Sequence, residues 1–182
     1  MSLVEAILEV KRAPTHGVRP EDLNPNKFKQ RAAAAGYLSK HRTIIEFGGS
    51  DLSERVYVKL NPRRLILVQD DAEGLDEARI RLADAGVMKQ FYPMRPERFI
   101  PEKARLFSDI TLVDFNSATS LIPMFLESFR VRRPVVLAFT GEFQDMAMKN
   151  LGVRKHFKAW LINRTFEGRT MHGAYVLRPI VH

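Results

Sequence analysis

Three short apolar runs constrain this chain more than anything else in it: Leu65-Ile66-Leu67-Val68, Ile110-Thr111-Leu112-Val113 and Val135-Val136-Leu137-Ala138-Phe139. Each is too short for a free-standing helix and too continuously apolar for a strand with one wet face. That is the pattern of strands buried on both sides of a sheet. Amphipathic stretches separate them. Residues 74–86 place Leu75, Ala78, Leu82 and Ala85 at helical spacing, with Gly86 as a stop. Residues 87–92 read as another strand closed by Pro93, and residues 95–107 as an irregular helix broken by Pro96 and Pro101. Residues 121–129 form a predicted helix with Ser120 as its cap, because Pro123 is tolerated only in a first turn. Phe143, Met146, Ala147 and Leu151 make a further helical stripe ending at Gly152, and residues 156–162 a fifth strand. Strand and helix in alternation predict the α/β class, a parallel sheet flanked by helices.

The ends have a different texture. Residues 3–10 fit a strand or a helix, and residues 25–40 a helix capped by Asn24. Residues 43–47 and 55–60 read as two strands joined by a Gly48-Gly49-Ser50-Asp51 hairpin turn. Residues 174–181 read as a closing strand that pairs with these N-terminal strands. Asn61-Pro62-Arg63-Arg64 is the nearest thing to a boundary. The expected division is therefore a small basic α+β extension over 1–62, an α/β domain over 63–162 and a C-terminal strand extension over 163–182.

In an open parallel sheet the chemistry sits beyond the carboxyl ends of the strands. Those ends carry Asp70 and Asp71, then Asp114, then Thr140, then Lys155 or Lys158. Three carboxylates meeting there would suit Mg²⁺ through hard oxygen ligands, which makes Asp70, Asp71 and Asp114 the candidate metal set. The same acids have a plainer use, because a carboxylate after a strand often caps the next helix or closes an Asx turn. Both uses stay open at this point.

The text Leu65-Ile66-Leu67-Val68-Gln69-Asp70-Asp71, Leu112-Val113-Asp114, Pro134 to Thr140, and Gly152 before Phe157-Lys158 resembles the receiver domain of response regulators, a flavodoxin-like fold, over residues 64–162. The resemblance implies an acidic pair at Asp70 and Asp71 that binds Mg²⁺, a phospho-acceptor at Asp114, and phosphate-sensing roles for Thr140 and Lys158. The loop Phe115-Asn116-Ser117 and the Ala159-Trp160 that follows Lys158 depart from that family's pattern, so the scaffold implied is a degenerate one. Residues 104–157 also resemble the STAS domains of anti-sigma-factor antagonists, with Phe115-Asn116-Ser117 where that family has Ser-Ser-Gly.

Charge adds a partner class. The net +8 is split unevenly: residues 1–63 carry +4, residues 64–127 carry −3 and residues 128–182 carry +7. Basic flanks attract phosphate backbones or an acidic protein surface. The candidate nucleic-acid contacts are Lys27, Lys29 and Arg31 around an Ala-rich helix, and Arg130, Arg132, Arg133, Arg154 and Lys155 with Lys158 nearby. Phe157 and Trp160 are interleaved with the second set, which suits stacking on single strands or RNA; a solvated basic surface fits both sets as well.

Several chemistries are excluded. With no cysteine there is no disulfide, thiol nucleophile or Cys-ligated metal. The five histidines lack metal-ligand spacing, Gly48-Gly49-Ser50 lacks the Lys of a phosphate-binding loop, and no Gly-x-Ser-x-Gly elbow occurs. No run is long enough to span a membrane and the N-terminus has no signal pattern, so a cytoplasmic protein is expected. The reading that follows is a non-catalytic regulatory or signalling module on a receiver-like scaffold, its basic flanks binding nucleic acid or an acidic partner. The alternatives are a structural subunit of a phage particle or ribonucleoprotein, with ends that order against neighbours or by self-assembly, and a STAS-like protein-interaction module.

Overall fold

The computed structural model describes residues 25–116, 119–129, 132–141 and 157–180. A seven-stranded sheet runs through it in the order β3-β2-β1-β4-β5-β7-β6. The strands are β1 (Thr43–Phe47), β2 (Arg64–Gln69), β3 (Met88–Pro93), β4 (Ile110–Phe115), β5 (Val135–Gly141), β6 (Phe157–Glu167) and β7 (Thr170–Pro179). The first five are mutually parallel, whereas β7 runs antiparallel to both β5 and β6. The helices are α1 (Pro25–Ala35), α2 (Asp51–Arg55), α3 (Ala72–Arg81), α4 (Pro96–Lys103) and α5 (Ile122–Ser128).

The α/β class and the sheet flanked by helices are as the sequence predicts. The three apolar runs are β2, β4 and β5, each buried on both faces. Two cores lie against the sheet, one per face. One is rich in phenylalanine and joins Phe47, Phe115 and Phe139 of the sheet to Phe99 of α4 and Phe125 of α5. The other packs Phe28, Ala32 and Ala35 of α1 and Leu75 and Ala78 of α3 on Ile44, Leu65, Leu67, Leu112 and Val136. Alternate residues along each strand feed opposite cores, as the pleat requires.

The differences begin at residues 43–60. Residues 43–47 form the middle strand of the five parallel ones, all five residues buried, paired on one side with β2 and on the other with β4. No hairpin follows. The chain turns at Gly48, whose φ of 81° is left-handed, and enters α2 and then a 3-10 turn at Tyr57–Leu60. The apolar Val56, Tyr57 and Val58 pack under the sheet instead of pairing along it. The strand expected at 156–162 is β6, but it is an antiparallel edge strand, not a fifth parallel one. The closing strand is β7, and it pairs with β5 and β6 and not with N-terminal strands. Residues 3–10 and the stripe from Phe143 to Leu151 lie outside the described residues. Among the described residues no helix is long and apolar enough to cross a membrane.

Candidate functional site

The strand order reverses direction between β1 and β4, and an open α/β sheet of this kind has its ligand crevice at the carboxyl ends of the two strands flanking that switch. Four segments reach it. The Gly48-Gly49-Ser50 turn leaves β1, Gln69 and Asp70 end β2, Tyr92 ends β3, and Asn116 leaves β4. Gly48 N donates to Val68 O at 3.0 Å and Asn116 N to Phe47 O at 3.1 Å, which ties the three strand ends together. A Cβ at Gly49 would sit 2.7 Å from Asn116 Nδ2 and 3.3 Å from Asp51 Oδ1, so any side chain there must displace the Asn116 amide.

Two fully buried carboxylates stand side by side below the crevice, Glu46 on β1 and Asp114 on β4, paired in the strand register. Each is satisfied differently. Glu46 accepts from Ser53 N at 2.8 Å and from the Ser53 hydroxyl, and weakly from Leu52 N and Asn116 Nδ2 at 3.4 Å each. Asn116 Nδ2 also donates to Asp51 Oδ1 at 2.9 Å, so one amide bridges two acids. Burial, helped by the neighbouring charges of Asp51 and Asp114, pushes the Glu46 carboxyl well above its ordinary value.

Asp114 is neutralised from α1. Arg31 Nε donates to its Oδ2 at 2.7 Å and Arg31 Nη2 to its Oδ1 at 3.0 Å, while the Tyr57 hydroxyl donates to Oδ2. Arg31 Nη2 also donates to Thr140 Oγ1 at 2.9 Å, and that oxygen lies 3.0 Å from His172 Nδ1. The Thr140 hydroxyl can donate to His172 Nδ1, and the His172 hydrogen then sits on Nε2, 3.6 Å from Glu167 Oε2. Burial and the nearby Arg31 lower the pKa of His172 and keep it neutral at pH 7. One turn earlier on α1, Lys27 Nζ pairs with Asp51 Oδ2 at 2.9 Å. The helix thus lays two cations, four residues apart, on an acid beside β1 and an acid ending β4. Gln30 extends the tie to the far strand, its Nε2 donating to Asn163 Oδ1 of β6 at 2.7 Å.

Several solved structures superpose on this fold. No protein-family model and no curated protein sequence matches the chain. A structure described as a putative RNA methyltransferase, PH1948 from Pyrococcus horikoshii, superposes with a TM-score of 0.65 at 11% identity, covering 97% of this chain and 98% of that one. The putative methyltransferase yhhF from Escherichia coli gives 0.63 at 11% identity, covering 88% and 90%. TrmK of M. capricolum, held with the cofactor product S-adenosyl-homocysteine, gives 0.60 at 11% identity, covering 84% and 68%. This is a Rossmann-like methyltransferase fold.

That likeness overturns the receiver and STAS resemblances, and with them the expected non-catalytic regulatory or signalling module and the structural subunit. The physical reason is β1. The receiver reading makes β2 the first strand and sets it beside β4, but β1 lies between them, so the ends of β2 and β4 are two strand spacings apart, about 10 Å. Asp70, Asp71 and Asp114 therefore do not converge. Asp70 is exposed, 3.6 Å from Arg95, and Asp71 caps α3 by accepting from Gly74 N at 3.0 Å. Among the described residues no group of three acidic or histidine side chains is placed to hold a metal ion, so the expected Mg²⁺ site is not formed.

Asp114, buried with both oxygens engaged, is closed to a phosphoryl donor. Thr140 does reach it, but through Arg31. Lys158 lies on β6 opposite Arg178, exposed and toward the amino edge of the sheet, away from Asp114. Of the candidate nucleic-acid contacts, Arg31 is instead fully buried in its ion pair and Lys27 is paired with Asp51. Lys29, Arg132 and Arg133 are exposed, while Arg130, Arg154 and Lys155 lie outside the described residues. The sequence alone marks none of Glu46, Asn116, Tyr57, Gln30 and His172 as a candidate site residue. Glu46 carries one signal: it is the lone acid of Thr43 to Phe47, a run that Gly48 and Gly49 follow.

Glu46 yields a stability test. A carboxyl whose pKa is raised in the folded state binds its proton more tightly there than in the unfolded chain. Stability then falls as pH rises from its ordinary value of 4.5 toward the folded value, and stays low above it. Glu46→Gln cannot ionise and should flatten that decline, gaining stability over the wild type at pH 8 and little at pH 5. Urea unfolding midpoints across that range measure it; an unchanged slope in the variant would show that another group carries the effect.

Proposed function

We propose that this chain is a cytoplasmic methyltransferase that uses S-adenosylmethionine and takes RNA as its substrate. The observation that carries the reading is the Gly48-Gly49 turn, set at the β1/β4 switch point of a seven-stranded sheet whose β7 is antiparallel. The residues present suit the cofactor. A Cβ at Gly49 would fill the cradle against Asn116, so glycine there leaves the backbone bare for close approach. Asp70, about 20 residues beyond the turn, offers an exposed carboxylate to a ribose diol, the position an acid takes in dinucleotide folds. The half-buried Tyr92 offers an aromatic edge at the end of β3.

S-adenosylmethionine, when bound, supplies an electrophilic methyl group. The chain's part is to bind and orient. Arg31 holds Asp114 out of proton transfer, which leaves the Asn116 amide as the polar group that β4 offers the crevice. The RNA substrate is supported by the +7 of residues 128–182 and by the description of PH1948 as an RNA methyltransferase.

Two measurements test this. S-adenosyl-homocysteine should bind the wild type in calorimetry, and Asp70→Ala should weaken it about ten-fold or more, the worth of hydrogen bonds to a charged group. Radiolabelled methyl should then pass from S-adenosylmethionine to an RNA fraction. An absence of cofactor binding at millimolar concentration would end the proposal.

A further inference from the structure

The amino edge of the sheet, on the face that α1 covers, carries four neighbouring side chains that the crevice does not use. Lys158 and Arg178 are register partners on β6 and β7. Trp160, two residues on, leaves 48% of its surface exposed, and the Arg178 guanidinium lies over its ring at 5.7 Å from the centroid. Arg178 Nη2 also donates to the hydroxyl of Tyr37 at 2.9 Å, just past the end of α1, and Tyr37 is 44% exposed. Two exposed rings and two cations are thus joined in one surface, with no carboxylate among these four residues. Lys40 and Arg42, both exposed, follow Tyr37 in the chain.

A large aromatic left half in water costs a protein solubility, and a cation spread over it keeps one ring face flat and electropositive. Rings with adjacent cations match a ligand having both a π-face and a phosphate in each repeat, which is a single strand of nucleic acid. A duplex hides its base faces and an acidic peptide has none to stack.

We propose that Trp160, Tyr37, Arg178 and Lys158 form a platform that binds single-stranded RNA by stacking bases on the rings and pairing phosphates with the cations. Arg178 follows Leu177, the partner of Val135 at the start of β5. The platform therefore sits a strand length from the crevice, roughly 20 Å at about 3.3 Å per residue. As the anchor for the RNA of the proposed reaction it rests on that reading, and it places the stacked bases several nucleotides from the methylated one.

Trp160 is the chain's single tryptophan, so emission excited selectively from tryptophan and not from the four tyrosines reports on the platform alone. Titrating the full chain with a short oligouridylate should quench that emission. Anisotropy of a labelled oligouridylate should show affinity lowered about five-fold or more in Trp160→Ala and largely retained in Trp160→Phe. Arg178→Gln should weaken binding and flatten its salt dependence. Linear polyphosphate should neither quench nor compete at equal charge. Unquenched emission at saturation, equal affinity in Trp160→Ala, or equal competition by polyphosphate would each overturn the platform. Cofactor binding without quenching removes the platform and spares the methyltransferase reading, whereas quenching without cofactor binding does the reverse.

Discussion

Arg31→Met should destabilise the protein by about 3–5 kcal/mol, among the larger effects any single substitution here can have. Arg31 and Asp114 are both fully buried and joined by two hydrogen bonds, so removing the guanidinium strands a carboxylate in the core. Tyr57 remains as a donor but carries no charge to offset it. Thr140 loses a donor at the same time. The pair itself need not be worth that much: replacing both partners, as in Arg31→Met with Asp114→Leu, should recover most of the loss, because the desolvation cost of two ions goes with them. Chemical unfolding of the two single variants and the double variant forms a cycle that separates these terms. Independent single effects with no recovery would mean that Asp114 is not held by Arg31.

The same ion pair shows what could be read from the chain and what could not. Runs such as Leu65 to Val68 and Val135 to Phe139 fix their own state, because continuous apolar sequence of that length has one stable place, the middle of a sheet. The class of fold follows from their spacing. The strand order does not, because it depends on which run enters the sheet between which others, and nothing local to Thr43–Phe47 sets it beside both β2 and β4. Glycines at 48 and 49 suit a hairpin as well as a strand-to-helix turn. With residues 43–47 as half of a hairpin, β2 is the first strand of the parallel sheet and its acids are drawn toward Asp114. The misplaced metal site, phospho-acceptor and receiver likeness all descend from that one exchange.

Asp114 was visible as an acid ending a buried strand, but its partner was not. Arg31 lies 83 residues away in an Ala-rich helix, where a basic residue ordinarily faces water. Its burial follows from helical phase: Phe28, Arg31, Ala32 and Ala35 share the face that α1 turns toward the sheet. The alanines bring the helix axis close enough for the guanidinium to reach β4. A single cation on an otherwise small and apolar helix face was the available sign.

Phe47→Ala should cost about 3–5 kcal/mol and should also loosen the crevice. Phe47 is the last residue of β1, and its ring is fully buried between Phe115, stacked at 5.1 Å between centroids, and Phe99 of α4, edge-on at 5.7 Å. Tyr92 at the end of β3 packs edge-on against Phe99 at 4.9 Å, so the ends of β1, β3 and β4 share one aromatic cluster. Truncation opens a cavity at its centre, and Gly48, the next residue, loses the anchor that holds its left-handed turn in place. The loss should therefore appear twice: as a lower unfolding midpoint and, on the proposed function, as weaker S-adenosyl-homocysteine binding at temperatures where the variant is still folded. Phe47→Leu keeps most of the volume and should restore stability more fully than binding, because a leucine fills the space without holding the Phe99 and Phe115 rings at their present angles. Calorimetry on the two variants, beside amide exchange at Gly48 and Gly49, distinguishes the effects. If Phe47→Ala lowered stability but left cofactor affinity and exchange at those glycines unchanged, the turn would be positioned by its hydrogen bond to Val68 and not by the core beneath it.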